Sequence, residues 1–182
     1  MKTKPAVFLD RDGVLTVEES YVCSADQLKI FPYAGECIEE IHRKGYYAIV
    51  ITNQSGIARG LFSEEELQKM NQMLIRETGV DAVYYCPHHP EGIVKKYAVA
   101  CSCRKPQTGL LKKACLDFHI DLENSFMVGD RAGDIVAGKG MKIQTVLLES
   151  GYGSGRLEQE VQPDYRLEDL RKFVELLNIN RD

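Results

Sequence analysis

A chain of 182 residues, 44% hydrophobic and 27% charged, suits one folded domain and excludes collagen-like, coiled-coil and largely disordered architectures. With 23 basic against 27 acidic residues the net charge is −4, a poor basis for general nucleic-acid or polyanion binding, though a local basic pocket for a phosphorylated metabolite stays open. No apolar run reaches the ~18 residues that span a membrane. Met1 to Pro5 leads straight into a short apolar segment, unlike a cleavable leader, so a cytoplasmic location is expected.

Ala6 to Leu9 is a continuous apolar run and predicts a buried strand. Ala34, Cys37, Ile38 and Ile41 recur at helical spacing, with Gly45 as the stop. Tyr46 to Thr52 is the strongest strand signal. Ser63 followed by three glutamates reads as an N-cap that opens a helix to about Thr78. Asp81 to Cys86 reads as a third strand. From Cys86 to Lys105 the chain lacks a helical period and is rich in Cys, His and Pro, which predicts an irregular loop. Leu110, Leu111, Ala114, Cys115 and Phe118 mark the next helix, and Ser125 to Val128 a strand that ends at Gly129-Asp130. A short helix from Gly133 to about Lys139, a strand from Ile143 to Leu148, a glycine-rich loop from Gly151 to Gly155 and a helix from Leu167 to Leu177 complete the reading. Strands alternating with helices predict an α/β fold: a Rossmann-like, mostly parallel sheet with helices on both faces. Such sheets bind ligands outside the carboxyl ends of their strands. Asp10, Thr52, Cys86 and Asp130 all fall there.

Asp10 and Asp12 are two apart on an extended segment, so both can face one pocket, and Gly13 lets the chain turn. Asp130 and Asp134 flank a helix start. Turn and capping chemistry would account for any one of these aspartates. Gathered at one sheet edge they would repel one another unless a cation neutralised them. Mg²⁺ suits, because it takes oxygen ligands, few of them carboxylates.

Six cysteines in a reducing compartment raise a metal question rather than a disulfide one. Cys86, Cys101 and Cys103 with His88, or with His89 by an equally workable spacing, make a tetrahedral zinc set. Four protein ligands leave no open position, so the zinc is expected to be structural and to fix Arg104 and Lys105, which follow Cys103 directly. The plainer alternative is buried cysteines beside a surface histidine pair. Cys37 and Cys115 lie on apolar helix faces, and Cys23 carries no signal.

Asp-x-Asp-Gly-Val after the first strand, Thr52 after the second, Lys105 before a helix and Gly129-Asp130-x-x-x-Asp134 together resemble the four motifs of the haloacid dehalogenase superfamily of phosphatases. The resemblance implies that Asp10 is the nucleophile and that Asp12 is the general acid and then base. It implies that Thr52 and Lys105 hold the transferring phosphoryl group. Mg²⁺ would be held by Asp10, the Asp12 carbonyl and Asp130, with Asp134 orienting Lys105 or metal-bound waters. Cys-Pro-His-His-Pro, Cys-x-Cys-Arg-Lys-Pro and Thr52 to Gly60 are similar to the heptose 1,7-bisphosphate phosphatase family within that superfamily. That likeness implies a capless, single domain over 1–182 with a zinc loop at 86–105, since only about 40 residues separate Asp10 from Thr52. It implies substrate contacts from Arg11, Glu18, Glu19, Ser20, Tyr21, Asn53, Gln54, Ser55, Arg104 and Arg131, with Arg104 on the second phosphate. The partner implied is a small phosphorylated sugar, not a nucleic acid or a membrane. The rival readings are a histidinol-phosphate phosphatase, a polynucleotide 3′-phosphatase and a non-enzymatic zinc-stabilised binding module.

Overall fold

The computed structural model describes residues 3–151 and 161–179. Strands β1 (Lys4–Leu9), β2 (Tyr47–Asn53), β3 (Ala82–Cys86), β4 (Ile120–Gly129), β5 (Gln144–Leu148) and β6 (Tyr165–Leu167) form a sheet in the order β3-β2-β1-β4-β5-β6. Every neighbouring pair is parallel. Helices α1 (Ala34–Arg43), α2 (Glu64–Thr78), α3 (Gly109–Phe118) and α4 (Ala132–Gly140) cross over between strands, and α5 (Leu170–Ile179) follows β6.

Both faces of the sheet are buried, which is why its strands read as apolar runs rather than alternating ones. In β1, Val7 and Leu9 pack with Ile38 and Ile41 of α1 and Phe173 of α5. Ala6 and Phe8 point the other way, onto Leu110, Leu111 and Ala114 of α3 and Ala137 of α4. The same alternation places Val50 on the first side and Ile49 and Ile51 on the second. Burying each such side chain contributes about 1.5–3 kcal/mol. A third cluster seats α2, through Leu67 and Met70, against Val22, Leu28 and Ile57. Strand order reverses direction at β1/β4, the switch point where the crossovers part and leave a crevice.

Three differences from the sequence reading have physical reasons. Strand β4 starts at Ile120 rather than Ser125. Its ladder with β1 slips between Pro5 and Val7, where the Ala6 N–H donates to Ser125 Oγ at 2.9 Å instead of to a carbonyl. Apolar Ile120 and Leu122 alternate there with polar Asp121 and Glu123, and exposed Glu123 and Asn124 part them from Phe126, so no continuous apolar run announces them. Strand β6 is an edge strand of three residues, too short for a pattern. Helix α5 therefore starts at Leu170, not Leu167, with Asp169 Oδ1 accepting the Arg171 N–H at 2.9 Å as its cap. No helix or strand lies within residues 87–108, as the Cys/His-rich stretch predicted. The glycine-rich loop lies outside the described residues beyond Gly151. Among the described residues no helix is long and apolar enough to cross a membrane.

Candidate active site

Asp10 continues β1 by one residue, its N–H donating to the Val128 carbonyl at 2.9 Å. The chain then turns back on itself: the Arg11 carbonyl accepts from Leu15 N–H at 2.9 Å and Thr16 N–H at 3.0 Å. Gly13 makes the turn at φ +82°, and a Cβ there would overlap the Asp130 carboxylate. Gly151 presses on the same carboxylate from another segment, so Asp130 sits in a cradle that only glycine leaves open.

Asp12 is held from several directions. Arg11, almost fully buried, grips it two-handed: Nε to Oδ1 at 3.0 Å and Nη2 to Oδ2 at 3.0 Å. Thr16 Oγ1 donates to Oδ1 and Gln54 Nε2 to Oδ2, each at 3.0 Å. Burial works against ionisation here, but the Arg11 charge and the hydrogen bonds from Arg11, Gln54 and Thr16 outweigh it and hold the carboxyl below the usual carboxylate range. Asp10 behaves oppositely. Burial pushes it up to about 8; Lys105 opposes this, and the charges of Asp134, Asp130 and Asp12 add to it.

Lys105 is the buried cation of the floor. Its Nζ meets the Ile51 carbonyl at 2.6 Å, Asp10 Oδ1 at 3.0 Å and Asp134 Oδ1 at 2.6 Å. Asp134 also accepts the Arg131 N–H on Oδ2 at 3.0 Å, so one carboxylate both caps α4 and orients the lysine. Four carboxylates (Asp10, Asp12, Asp130, Asp134) face two cations (Arg11, Lys105), so full ionisation would leave two excess negative charges, and Asp10 resists giving up its proton. Carboxylate oxygens of Asp10, Asp130 and Asp134 lie within 4.8 Å of one another. A divalent cation with oxygen ligands fits this charge and spacing. Lys105 and the Arg131 N–H take both oxygens of Asp134, whereas Lys105 takes only Oδ1 of Asp10, so Asp10 and Asp130 are the natural carboxylate ligands.

A cavity of about 310 Å³ opens over this floor. Asp10, Asp12 and Lys105 line it, and so do all ten residues anticipated as substrate contacts: Arg11, Glu18, Glu19, Ser20, Tyr21, Asn53, Gln54, Ser55, Arg104 and Arg131. Val22 and Phe62 join them without any sequence signal. Thr52 does not line the cavity; it is buried, and its hydroxyl accepts from Gln54 Nε2 at 2.9 Å. Glu18 pairs with Arg131 at 3.0 Å. Burial pushes Glu18 up to about 7, with Arg131 opposing and Asp12 and Asp130 adding. Among the described residues no carboxylate pairs with Arg104, whose Nη1 makes a long contact of 3.4 Å to the His88 carbonyl. Thr16, fully buried under Asp12, was not singled out by the sequence; nothing distinguishes it there from a turn threonine.

Cys86, His88, Cys101 and Cys103 converge beside the cavity. The sulfur pairs lie 3.0, 3.3 and 3.5 Å apart, and His88 Nδ1 is 3.3 Å from Cys103 Sγ and 3.6 Å from Cys86 Sγ. A tetrahedron with ~2.3 Å zinc–sulfur bonds has edges of about 3.8 Å, so a small contraction separates this set from a zinc site. His89 is turned elsewhere: its Nε2 is 3.3 Å from Arg59 Nη2 and its Nδ1 accepts the Glu91 N–H at 3.2 Å. The geometry thus chooses His88 between the two candidates. Cys37 is buried in the core of the α1 side, and Cys115 packs partly buried on the α3 side, as their helix faces implied.

A parallel sheet with Asp-x-Asp at one strand end, a lysine reaching in from a loop and an acidic pair at the next strand end defines a hydrolase of the haloacid dehalogenase type. The HAD-hydrolase-like family model matches residues 102–173. A D-glycero-β-D-manno-heptose-1,7-bisphosphate 7-phosphatase of Pasteurella multocida is 40% identical over 180 residues, covering 96% of this chain and 97% of its own. Its namesake in Escherichia coli K12 is 38% identical over 156 residues, 82% of each chain. The solved D,D-heptose 1,7-bisphosphate phosphatase of B. bronchiseptica, complexed with magnesium and phosphate, superposes with TM-score 0.83 at 30% identity over 97% of this chain and 99% of that one. The chain belongs to the heptose-1,7-bisphosphate 7-phosphatase family of haloacid dehalogenase-like hydrolases.

Proposed function

We propose that this protein is a magnesium-dependent phosphoric monoester hydrolase that removes the 7-phosphate of D-glycero-D-manno-heptose 1,7-bisphosphate in the cytoplasm. The observation that carries the reading is one cavity lined by Asp10, Asp12 and Lys105 and also by Arg104, a cation that no carboxylate of the described residues neutralises. Asp10 attacks phosphorus as the bond to the sugar O7 breaks, and Asp12 delivers a proton to that oxygen. Asp12 then takes a proton from the water that cleaves the aspartyl-phosphate, releasing inorganic phosphate. Its environment presets Asp12 as the ionised base of the second step. A phosphate dianion beside it opposes the hold of Arg11, which lets the same carboxyl carry the proton inward first.

Lys105 balances charge on the phosphoryl oxygens, because phosphoryl transfer asks of a protein mainly positioning and neutralisation, and Thr52, buried beneath the cavity, acts through the Gln54 amide that bridges it to Asp12. Magnesium, held by Asp10, Asp130 and the Asp12 carbonyl, would supply further neutralisation of the phosphoryl oxygens. Cys86, His88, Cys101 and Cys103 would hold a structural zinc that seats Arg104 and Lys105. Arg104 is left for the distal phosphate, which its planar fork suits. The test is ³¹P NMR of the bisphosphate during turnover. The resonance of the 7-phosphate should convert to inorganic phosphate while the 1-phosphate stays on the sugar. Release of the 1-phosphate, or no release with magnesium present, would overturn the assignment.

A further inference from the structure

The family resemblance counts Asn53 as a substrate contact, yet its side chain is already engaged within the protein. Nδ2 donates to the Lys105 carbonyl at 3.0 Å, and Oδ1 accepts the Lys105 N–H at 3.0 Å. Both ends of one amide thus meet both backbone polar groups of one residue, 52 positions along the chain. The arrangement imitates a rung of sheet where the sheet has stopped. The ladder between β2 and β3 ends at Asn53 and Cys86, and the Gln54 N–H reaches the Cys86 carbonyl at 2.8 Å. Past that point Asn53 holds Lys105 with its side chain instead.

The lysine needs this hold. Its backbone lies in the stretch 87–108 that has no helix or strand. Its Nζ must nevertheless meet three fixed acceptors, on Ile51, Asp10 and Asp134. A flexible four-carbon stem keeps such an appointment only if its root is fixed. Cys103 anchors the chain two residues earlier, through the Cys/His cluster. Asn53 anchors it at Lys105 itself. We infer that Asn53 is a positioning residue for Lys105, and that its part in the reaction runs through the lysine rather than through contact with the sugar. This rests on the phosphatase reading above.

The experiment is a double-mutant cycle of Asn53→Ala with Lys105→Ala, measured on an aryl monophosphate and on heptose 1,7-bisphosphate. Misplacing a catalytic group by about 1 Å costs on the order of 100-fold, so Asn53→Ala should lower kcat by about 10- to 100-fold on both substrates. KM should stay within about twofold, the mark of an interaction that acts on the reaction rather than on uniform binding. With Lys105 already replaced by Ala, the further Asn53 change should cost less than about threefold, because the two residues act as one. A loss confined to KM for the bisphosphate would overturn the proposal, and so would full additivity of the two substitutions or unchanged kcat. If melting shows that Asn53→Ala does not fold, the same cycle with Asn53→Ser keeps a polar side chain too short to meet both backbone groups of Lys105 and decides the matter. A wild-type enzyme that cleaves the aryl phosphate but not the bisphosphate would defeat the substrate reading and leave the role of Asn53 to be settled on the aryl substrate.

Discussion

The carboxylate floor and the Cys/His loop meet at Lys105, yet different forces hold them. Asp10, Thr52 and Asp130 cap strands whose ladders and side chains are buried on both faces, so the sheet itself fixes them. The 87–108 stretch has no such ladder, and it is tied down by one four-ligand cluster, the Asn53 clamp and a few turns. The floor carries chemistry common to any phosphate monoester. The loop carries Arg104, the group that would tell one phosphorylated molecule from another. The carboxylates of the reaction thus rest on the part that folding makes rigid, while Lys105 and the selectivity of Arg104 rest on the part that a metal would make rigid.

The largest effect should follow from damage to the floor. Asp10→Asn is expected to abolish turnover, by at least ~10⁴-fold, as loss of a covalent nucleophile does. Stability should not suffer with it. The Asp10 carboxyl is pushed up to about 8 by burial, with Lys105 only partly offsetting this and three neighbouring carboxylates adding to it. A carboxyl raised above its unfolded value destabilises the metal-free fold at neutral pH, and Asn removes that penalty. Thermal melting in EDTA should therefore show the variant at or above wild type, and magnesium should raise the wild-type melting temperature more than the variant's. A variant that melts well below wild type would contradict the charge argument.

Damage to the loop should look different, with stability and activity falling together. Cys101→Ser removes one of four convergent ligand atoms and should cost about 3 kcal/mol or more, with zinc content dropping below one per chain by elemental analysis. Activity on an aryl monophosphate should fall with it, because Lys105 loses its second anchor. Wild-type protein free of zinc, with all six thiols titrating freely, would remove the metal from the account.

Most of the floor was legible in the sequence because its residues stand at the ends of apolar runs, and parallel strand ends are where such sheets bind. The two cluster pairs, Cys86/His88 and Cys101/Cys103, were legible because metal ligands need spacing more than context. The orientation of amides and imidazoles was not. Whether His88 or His89 joins the thiols depends on Arg59 and Glu91 drawing the second ring away. That Gln54 bridges Asp12 and Thr52, and that Asn53 faces Lys105, depends on contacts between residues 42, 2 and 52 positions apart. The first half of β4 was hidden for a related reason: a serine hydroxyl replaces a ladder carbonyl, and exposed Glu123 and Asn124 interrupt the apolar run before it.

The smallest of these effects tests the division of labour most directly. Arg104→Ala leaves the cluster, Lys105 and the carboxylates in place and removes one uncompensated cation from the cavity wall. A hydrogen bond to a charged group is worth about 1.5–3 kcal/mol, so kcat/KM for heptose 1,7-bisphosphate should fall roughly 10- to 150-fold. An aryl monophosphate has no second phosphate, and its kcat/KM should stay within about threefold of wild type. Equal losses on the two substrates would put Arg104 at the reacting phosphate and contradict the separation of floor from loop.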